Sequence, residues 1–262
     1  MNEVQFLINV MYPAAQAAYS IMNTPPIPLT LPAGYTLVSA INADPQQAAP
    51  AMAIANPDQQ RLANQTVLES SIFGLVAWSA TDQTALIAIR GTKTLVEWLA
   101  DVDAPAVPYL PDSSAGCVHM GFQLVYQHIR NSIQTLLTAK CSTAKRILIT
   151  GHSLGGALAV LCGLDVVKNS TVHVVPELHT FAGPRTGDPK FAGSFNAAIP
   201  ICNRVVNFLD VVPQVPVPPL YEHLGKELLV HGGFRPLDIT YAHHITTYLA
   251  GLQKLPVTPG SP

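Results

Sequence analysis

Charge is scarce in this chain. Only 11% of its 262 residues are Asp, Glu, Lys or Arg, against about 25% in an average soluble protein. The 14 Lys and Arg stand against 16 Asp and Glu, a net charge of -2. That balance offers no electrostatic footprint for phosphates and argues against nucleic-acid binding. Long apolar runs are missing too. The longest candidate, Gly155 to Leu164, stops at Asp165, short of the roughly 18 residues that a membrane span requires. An integral membrane protein is excluded, whereas a lipid-touching surface is not. Cysteine is sparse: Cys117, Cys141, Cys162 and Cys202 are too few and too widely spaced for a disulfide scaffold or a zinc site. No basic segment followed by an apolar stretch opens the chain, which leaves an intracellular protein or a mature form with an added Met. Asn64-Gln65-Thr66 and Asn169-Ser170-Thr171 fit the glycosylation tripeptide, a pattern too short to carry weight on compartment. What the chain does have is apolar side chains, 48% of the total, and this excludes disorder over most of its length.

No internal repeat or charge block divides the sequence, so residues 1–262 are read as one domain. Val4, Leu7, Ile8, Met11, Ala15 and Ala18 fall at helical spacing, and Pro25-Pro26 stops that helix. Tyr35 to Ile41 reads as extended. Segments 71–79 and 85–90 are rich in β-branched and aromatic residues around a Thr81-Asp82-Gln83-Thr84 turn, a hairpin signal. Met120 to Ala139 carries Phe122, Val125, Ile129, Ile133 and Leu136 on one helical stripe. Then the pattern becomes strand 146–150, helix 153–168, strand 177–181 and strand 203–209, with a final helix at 241–252. Short buried strands alternating with helices indicate the α/β class and a largely parallel sheet. Hairpins at 71–90 and 226–240 are expected to add antiparallel strands at its edges.

Gly151-His152-Ser153-Leu154-Gly155-Gly156 follows the apolar run Ile147-Leu148-Ile149-Thr150 and opens a helix rich in Ala, Leu and Val. Strand, G-x-S-x-G, helix is the context of a nucleophile elbow. Side chains two residues either side of Ser153 would collide in so sharp a turn, which is why glycine stands at both places. The hydroxyl is then exposed at a helix N-terminus, where the helix dipole and the Leu154 N–H can stabilise negative charge on an attacked carbonyl.

A serine nucleophile needs an acid and a histidine further along the chain. Asp210 follows the strand Val205-Val206-Asn207-Phe208-Leu209, at the carboxyl end of the sheet where such sites form. Its rival Asp188, in Thr186-Gly187-Asp188-Pro189, reads as a helix N-cap. His223 and His231 flank an expected strand and read as structural. His243 and His244 remain, adjacent at the start of the last helix. Residues next to each other on a helix point about 100° apart, so one of the two faces Ser153.

These motifs fall in an order that resembles the class 3 lipase family, which includes fungal triacylglycerol lipases, feruloyl esterases and plant phospholipases. The matching pieces are Ile89-Arg90-Gly91-Thr92, Glu97-Trp98-Leu99-Ala100-Asp101, Val118-His119-Met120-Gly121-Phe122 and the serine elbow. Downstream come Phe181 to Asp188, Arg204 to Asp210 and Tyr221 to Glu227, so the likeness spans about residues 70–250. The resemblance implies an α/β-hydrolase fold: a mostly parallel central sheet with antiparallel edge strands, flanking helices and a helical lid at about 93–111. It carries the acid onto Asp210, and a closing His-x-x-x-Thr-Tyr pattern selects His243 against Thr247-Tyr248. Thr92 matches the family's second oxyanion donor beside Leu154, and His119 resembles a position near the lid. The lid stripe would be Leu95, Trp98, Leu99 and Val102. The chemistry expected is ester hydrolysis through Ser153, Asp210 and His243 with no cofactor and no metal. The substrate expected is a lipid or ester met at an oil–water interface by a monomer.

Overall fold

The computed structural model describes residues 1–22, 28–44, 46, 57–92, 105–233, 235, 238 and 240–256. Seven strands form one sheet: β1 (Thr36–Asn42), β2 (Ile72–Ser79), β3 (Thr84–Ile89), β6 (Arg146–His152), β7 (Glu177–Phe181), β8 (Cys202–Asn207) and β9 (Lys226–Val230). Their order is β1-β2-β3-β6-β7-β8-β9. The first three run antiparallel, and from β3 to β9 every pairing is parallel. A separate two-stranded ribbon joins β4 (Ala106–Pro108) to β5 (Cys117–His119).

The central strands are apolar on both faces because helices cover both. All six residues of β3 are buried, and their alternation divides them between two cores. Ala85, Ile87 and Ile89, with Ile147 and Ile149 of β6, share a core with α3 (Pro57–Glu69), α4 (Met120–Lys140), α5 (Leu154–Asn169) and α6 (Pro189–Ala198). Leu86, Ala88 and Leu148 face the opposite way, onto Leu7, Met11, Ala15 and Ala18. Those four come from the N-terminal helical segment, which is α1 (Glu3–Phe6), a π-helical turn at Leu7–Met11 and α2 (Tyr12–Ser20). The last helix, α7 (Ile245–Leu252), places Tyr248 and Leu252 in the same core.

The expected stripe on α4 is present: Phe122, Val125, Ile129 and Ile133 are buried and Leu136 is partly so. That helix is also tied to α5 by a buried carboxylate. Asp165 accepts from Tyr126 Oη at 2.8 Å, Arg130 Nε at 2.8 Å and Nη2 at 2.9 Å, Gln134 Nε2 at 3.1 Å and Asn169 Nδ2 at 2.7 Å. With these donors converging on it, the carboxylate is matched by protein partners between two helices.

One sequence expectation does not hold. Segment 226–240 is not a hairpin: β9 pairs parallel to β8, Val205 opposite Leu228, and no strand returns among the described residues of 231–240. The antiparallel addition lies at one edge of the sheet, the β1 side. Gly232 marks a close approach, since a Cβ there would lie 2.0 Å from the Thr247 carbonyl oxygen. The glycine lets the chain after β9 pass directly under α7.

Burial also sets how the fold responds to acid. His179 of β7 is 3% exposed, with its ring edge-on to Phe6 at 5.2 Å, and burial pushes its pKa down to about 4. An unfolded histidine titrates near 6.5. Between about pH 6.5 and 4 the unfolded chain therefore binds a proton that the folded chain refuses, and stability falls as pH drops through that window. Replacing the ring with an amide, His179→Gln, should reduce the stability lost between pH 7 and pH 5 by about 2 kcal/mol. Urea unfolding of both proteins at the two pH values measures this, and equal losses would contradict it.

Candidate active site

The site forms at the carboxyl edge of the parallel strands, and its geometry begins with a strained residue. Ser153 sits between β6 and α5 at φ 61° and ψ -132°, a region that L residues occupy only when their surroundings force them there. The glycines around it are a steric requirement. A Cβ on Gly151 would lie 2.1 Å from Gly155 O, and one on Gly155 would lie 2.2 Å from Ile89 O and 2.6 Å from the Arg90 carbonyl carbon. The turn is pinned by Ser153 N–H donating to Phe181 O at 3.0 Å and by Gly156 N–H donating to Ser153 O at 2.8 Å. It leaves Leu154 as the first residue of a sixteen-residue helix, with its N–H among those without an intrahelical partner.

Across the sheet edge, Asp210 follows β8 in a turn closed by its own N–H to Asn207 O at 2.9 Å. It is buried, and three donors converge on its carboxylate. His243 Nδ1 donates to Oδ2 at 2.8 Å, Tyr248 Oη to the same oxygen at 2.6 Å and Val212 N–H to Oδ1 at 3.0 Å. Burial by itself would raise the carboxyl pKa, but the hydrogen bond and charge of His243, then Tyr248 and the Val212 amide, hold it below the usual value. An ionised Asp210 can only accept, so the histidine proton sits on Nδ1 and the Nε2 lone pair is left to take a proton from elsewhere. His243 Nε2 and Ser153 Oγ are both buried, and neither has a hydrogen-bond partner among the described residues.

The two adjacent histidines are separated by backbone geometry and not by the helical rotation expected from sequence. His243 ends a 3-10 turn, Tyr241–His243, whereas His244 is extended, at φ -60° and ψ 135°, and caps α7. The chain bends between them, which turns His243 inward to Asp210 and leaves His244 exposed beside Tyr241. Asn207 fixes that bend. Its Nδ2 donates to Ala242 O at 2.8 Å and its Oδ1 accepts from Gly232 N–H at 2.9 Å, so the end of the strand before Asp210 holds the loop that carries His243. Sequence reading passed over Asn207 because it looked like one more strand residue.

Thr92 lies one residue beyond Gly91, which touches the Ser153 turn. A Cβ on Gly91 would be 3.0 Å from Ser153 Cβ and 2.9 Å from His152 O. Arg90 anchors this loop from behind. It is 1% exposed, donates to the Ile72, Gly91, Thr66 and Ser70 carbonyls, and stacks 4.5 Å above the Phe73 ring. The remaining candidates settle elsewhere. Asp188 caps α6, its Oδ1 accepting from Phe191 N–H at 2.7 Å. His223 donates from Nε2 to Pro213 O at 2.7 Å, and His119 stacks on Phe122 with ring centroids 4.3 Å apart. The expected lid residues Leu95, Trp98, Leu99 and Val102 lie outside the described residues. Of the segment 93–111, the part from 105 onward is described, with Ala106–Pro108 paired to β5 and Tyr109 Oη donating to Leu161 O at 2.7 Å.

A parallel sheet that delivers a serine to a strained turn at its carboxyl edge is the frame of the α/β-hydrolases, and this fold is that frame. Within it, the chain belongs to the class 3 lipase family, whose model matches residues 86–219. A lipase of Rhizomucor miehei is 35% identical over 161 residues, covering 58% of this chain and 43% of its own. Phospholipase A1-II 3 of Oryza sativa subsp. indica is 33% identical over 184 residues, 59% of this chain and 44% of its own. The chain thus spans about half the length of the curated relatives it matches. Among solved structures, Rhizomucor miehei triacylglyceride lipase superposes with a TM-score of 0.62 at 25% identity, over 84% of this chain and 78% of that one.

The tight contact behind the serine sets a stability test. Gly155→Ala would drive a methyl group into backbone atoms of Ile89 and Arg90, which cannot rotate away as a side chain can. The substitution should cost about 3 kcal/mol, read as a lower urea midpoint, and a midpoint equal to wild type would show that the turn has room to spare.

Proposed function

We propose that this chain is a carboxylic ester hydrolase acting on fatty-acid esters, acylglycerols foremost, through Ser153, His243 and Asp210. The observation that carries the reading is the buried Asp210–His243 hydrogen bond of 2.8 Å. It fixes the tautomer that a general base needs, at the sheet edge where a strained turn presents Ser153. In the proposed reaction, His243 Nε2 takes the Ser153 proton as Oγ attacks the ester carbonyl, and Asp210 stabilises the imidazolium that results. The oxyanion is received by the Leu154 N–H at the start of α5 and by Thr92. His243 returns the proton to the leaving alcohol, an acyl-enzyme remains on Ser153, and water activated by the same histidine releases the acid.

Two features support a lipid-facing substrate. The chain's relatives are named lipase and phospholipase A1. The loop that carries Asp210 also exposes Phe208, Leu209, Val211, Val217 and Leu220, each between 46% and 72%, an apolar surface next to the acid and a contact for acyl chains or a lipid surface.

Hydrolysis of nitrophenyl esters from acetate to palmitate, with and without emulsified triacylglycerol, tests the reading. Ser153→Ala should lower turnover by about four to six powers of ten with an unchanged thermal midpoint, and retained turnover would end the serine mechanism. Asp210→Ala should cost about four powers of ten. His243→Ala should abolish the burst of alcohol product that marks acyl-enzyme formation, while His244→Ala, at an exposed cap, should keep it. The opposite outcome would move the base to His244.

A further inference from the structure

α2 ends at the edge of the sheet where the serine turn lies, and there it presents Tyr19. The Tyr19 hydroxyl lies 3.0 Å from Gly91 N and 2.9 Å from His152 Nδ1. The other ring nitrogen, His152 Nε2, lies 2.8 Å from the carbonyl oxygen of His243. Hydrogen-bond polarity gives these contacts a direction. A carbonyl accepts, so Nε2–H of His152 donates to it and Nδ1 keeps its lone pair. A backbone amide donates, so the Tyr19 oxygen accepts from Gly91 N–H, and the phenolic proton goes to Nδ1 at 2.9 Å in preference to the His152 carbonyl oxygen at 3.5 Å. The links run in one direction: Gly91 N–H to Tyr19, Tyr19 O–H to His152, His152 N–H to His243 C=O. Burial, with the nearby His243, pushes the His152 pKa down to about 3, so the ring stays neutral and the directions do not reverse near neutral pH.

Three members of this relay, Gly91, His152 and His243, lie at the three places that hydrolysis must keep in register. Gly91 precedes Thr92, His152 precedes Ser153, and His243 is the base itself. They come from three separate stretches of chain, and Tyr19 from a fourth, 133 residues before His152. We propose that Tyr19, acting through His152, is a positioning residue that holds the oxyanion loop, the nucleophile turn and the base loop at their working separations. The inference rests on the ester hydrolase reading above and deepens it. Tyr19 is not assigned any contact with substrate. Loss of its hydroxyl removes the acceptor that holds Gly91 N–H and the donor that holds His152 Nδ1, so the loop carrying Thr92 and the turn carrying Ser153 relax independently. Groups that act on the transition state are then misplaced while ground-state binding is spared, and displacements of about 1 Å are enough to cost about a hundredfold.

Tyr19→Phe is the test, since it keeps the ring and removes the hydroxyl. Working sites are first counted by covalent labelling of Ser153 with a nitrophenyl alkylphosphonate, so that misfolded molecules drop out. Per labelled site, kcat on a medium-chain ester should fall about 10- to 100-fold with KM within about twofold. The double variant Tyr19→Phe with His152→Asn should lose much less than the product of the two single losses, because both break one relay. An unchanged kcat per site would overturn the inference. A loss explained wholly by fewer labelled sites would overturn it too, since that is what a merely structural tyrosine produces, and so would fully multiplicative losses in the double variant. Ser153→Ala separates the two readings: turnover retained there ends the hydrolase reading and this inference with it, whereas an inactive Ser153→Ala beside an unimpaired Tyr19→Phe ends the inference alone.

Discussion

The first turn of α5 presses against the end of β3 so closely that no side chain fits between them, with the place of a Gly155 Cβ only 2.2 Å from the Ile89 carbonyl oxygen. Everything else at the sheet's carboxyl edge follows from that contact. Because the helix starts so near the strand, the connection from β6 must reverse within one residue, and Ser153 takes the positive φ that makes the reversal possible. Because the reversal is so sharp, the serine side chain stands at the turn's tip and the helix's unpaired amides open beside it. The strain is sustained by two well-packed cores, since a backbone cost of about 1 to 3 kcal/mol persists only where the surroundings over-determine it.

Around this contact the protein buries an unusual amount of polarity for a chain so poor in charge. Arg90, Asn207, Asp210 and His152 are each 5% exposed or less, and each has hydrogen-bond partners that suit its chemistry. All four bond to backbone carbonyls or amides of loops beyond the strand ends. In a low-dielectric setting such bonds are stiff, and a missing partner is expensive. The loops are therefore specified by polar side chains rising from the strand ends and not by apolar packing of their own. That leaves the outer residues of the Asp210 loop unconstrained by the core, and they are apolar and exposed.

Much of this could be read from sequence where the signal is local. The strands at 72–79, 84–89, 146–152 and 177–181 announce themselves by composition, and the elbow by two glycines at fixed distance from a serine. The place of Asp210 at the sheet edge, where it meets His243, was legible from its position after a strand. Two failures share one cause, which is that local sequence does not show how a segment pairs or where the backbone bends. Segment 226–240 looked like a hairpin, but β9 pairs parallel to β8 and no strand returns among its described residues. His243 and His244 looked like neighbours on a helix, but a change of backbone region falls between them. Tyr19 was invisible for a different reason. Nothing in residues 12–20 marks one tyrosine as belonging to a site assembled more than a hundred residues later.

That distance shapes how the molecule comes together. Contacts between segments far apart in sequence carry the largest loop-closure cost and form late. The bond between Tyr19 and His152 closes a span of 133 residues, and the one between His152 and the His243 carbonyl closes a further 91. The hairpin of β2 and β3 and the helices can form long before either link exists. Secondary structure and collapse should thus be nearly complete in a refolding chain whose site is still three unconnected loops, and competence arrives as a final, separate event when the first helix and the last one both dock on the middle of the sheet.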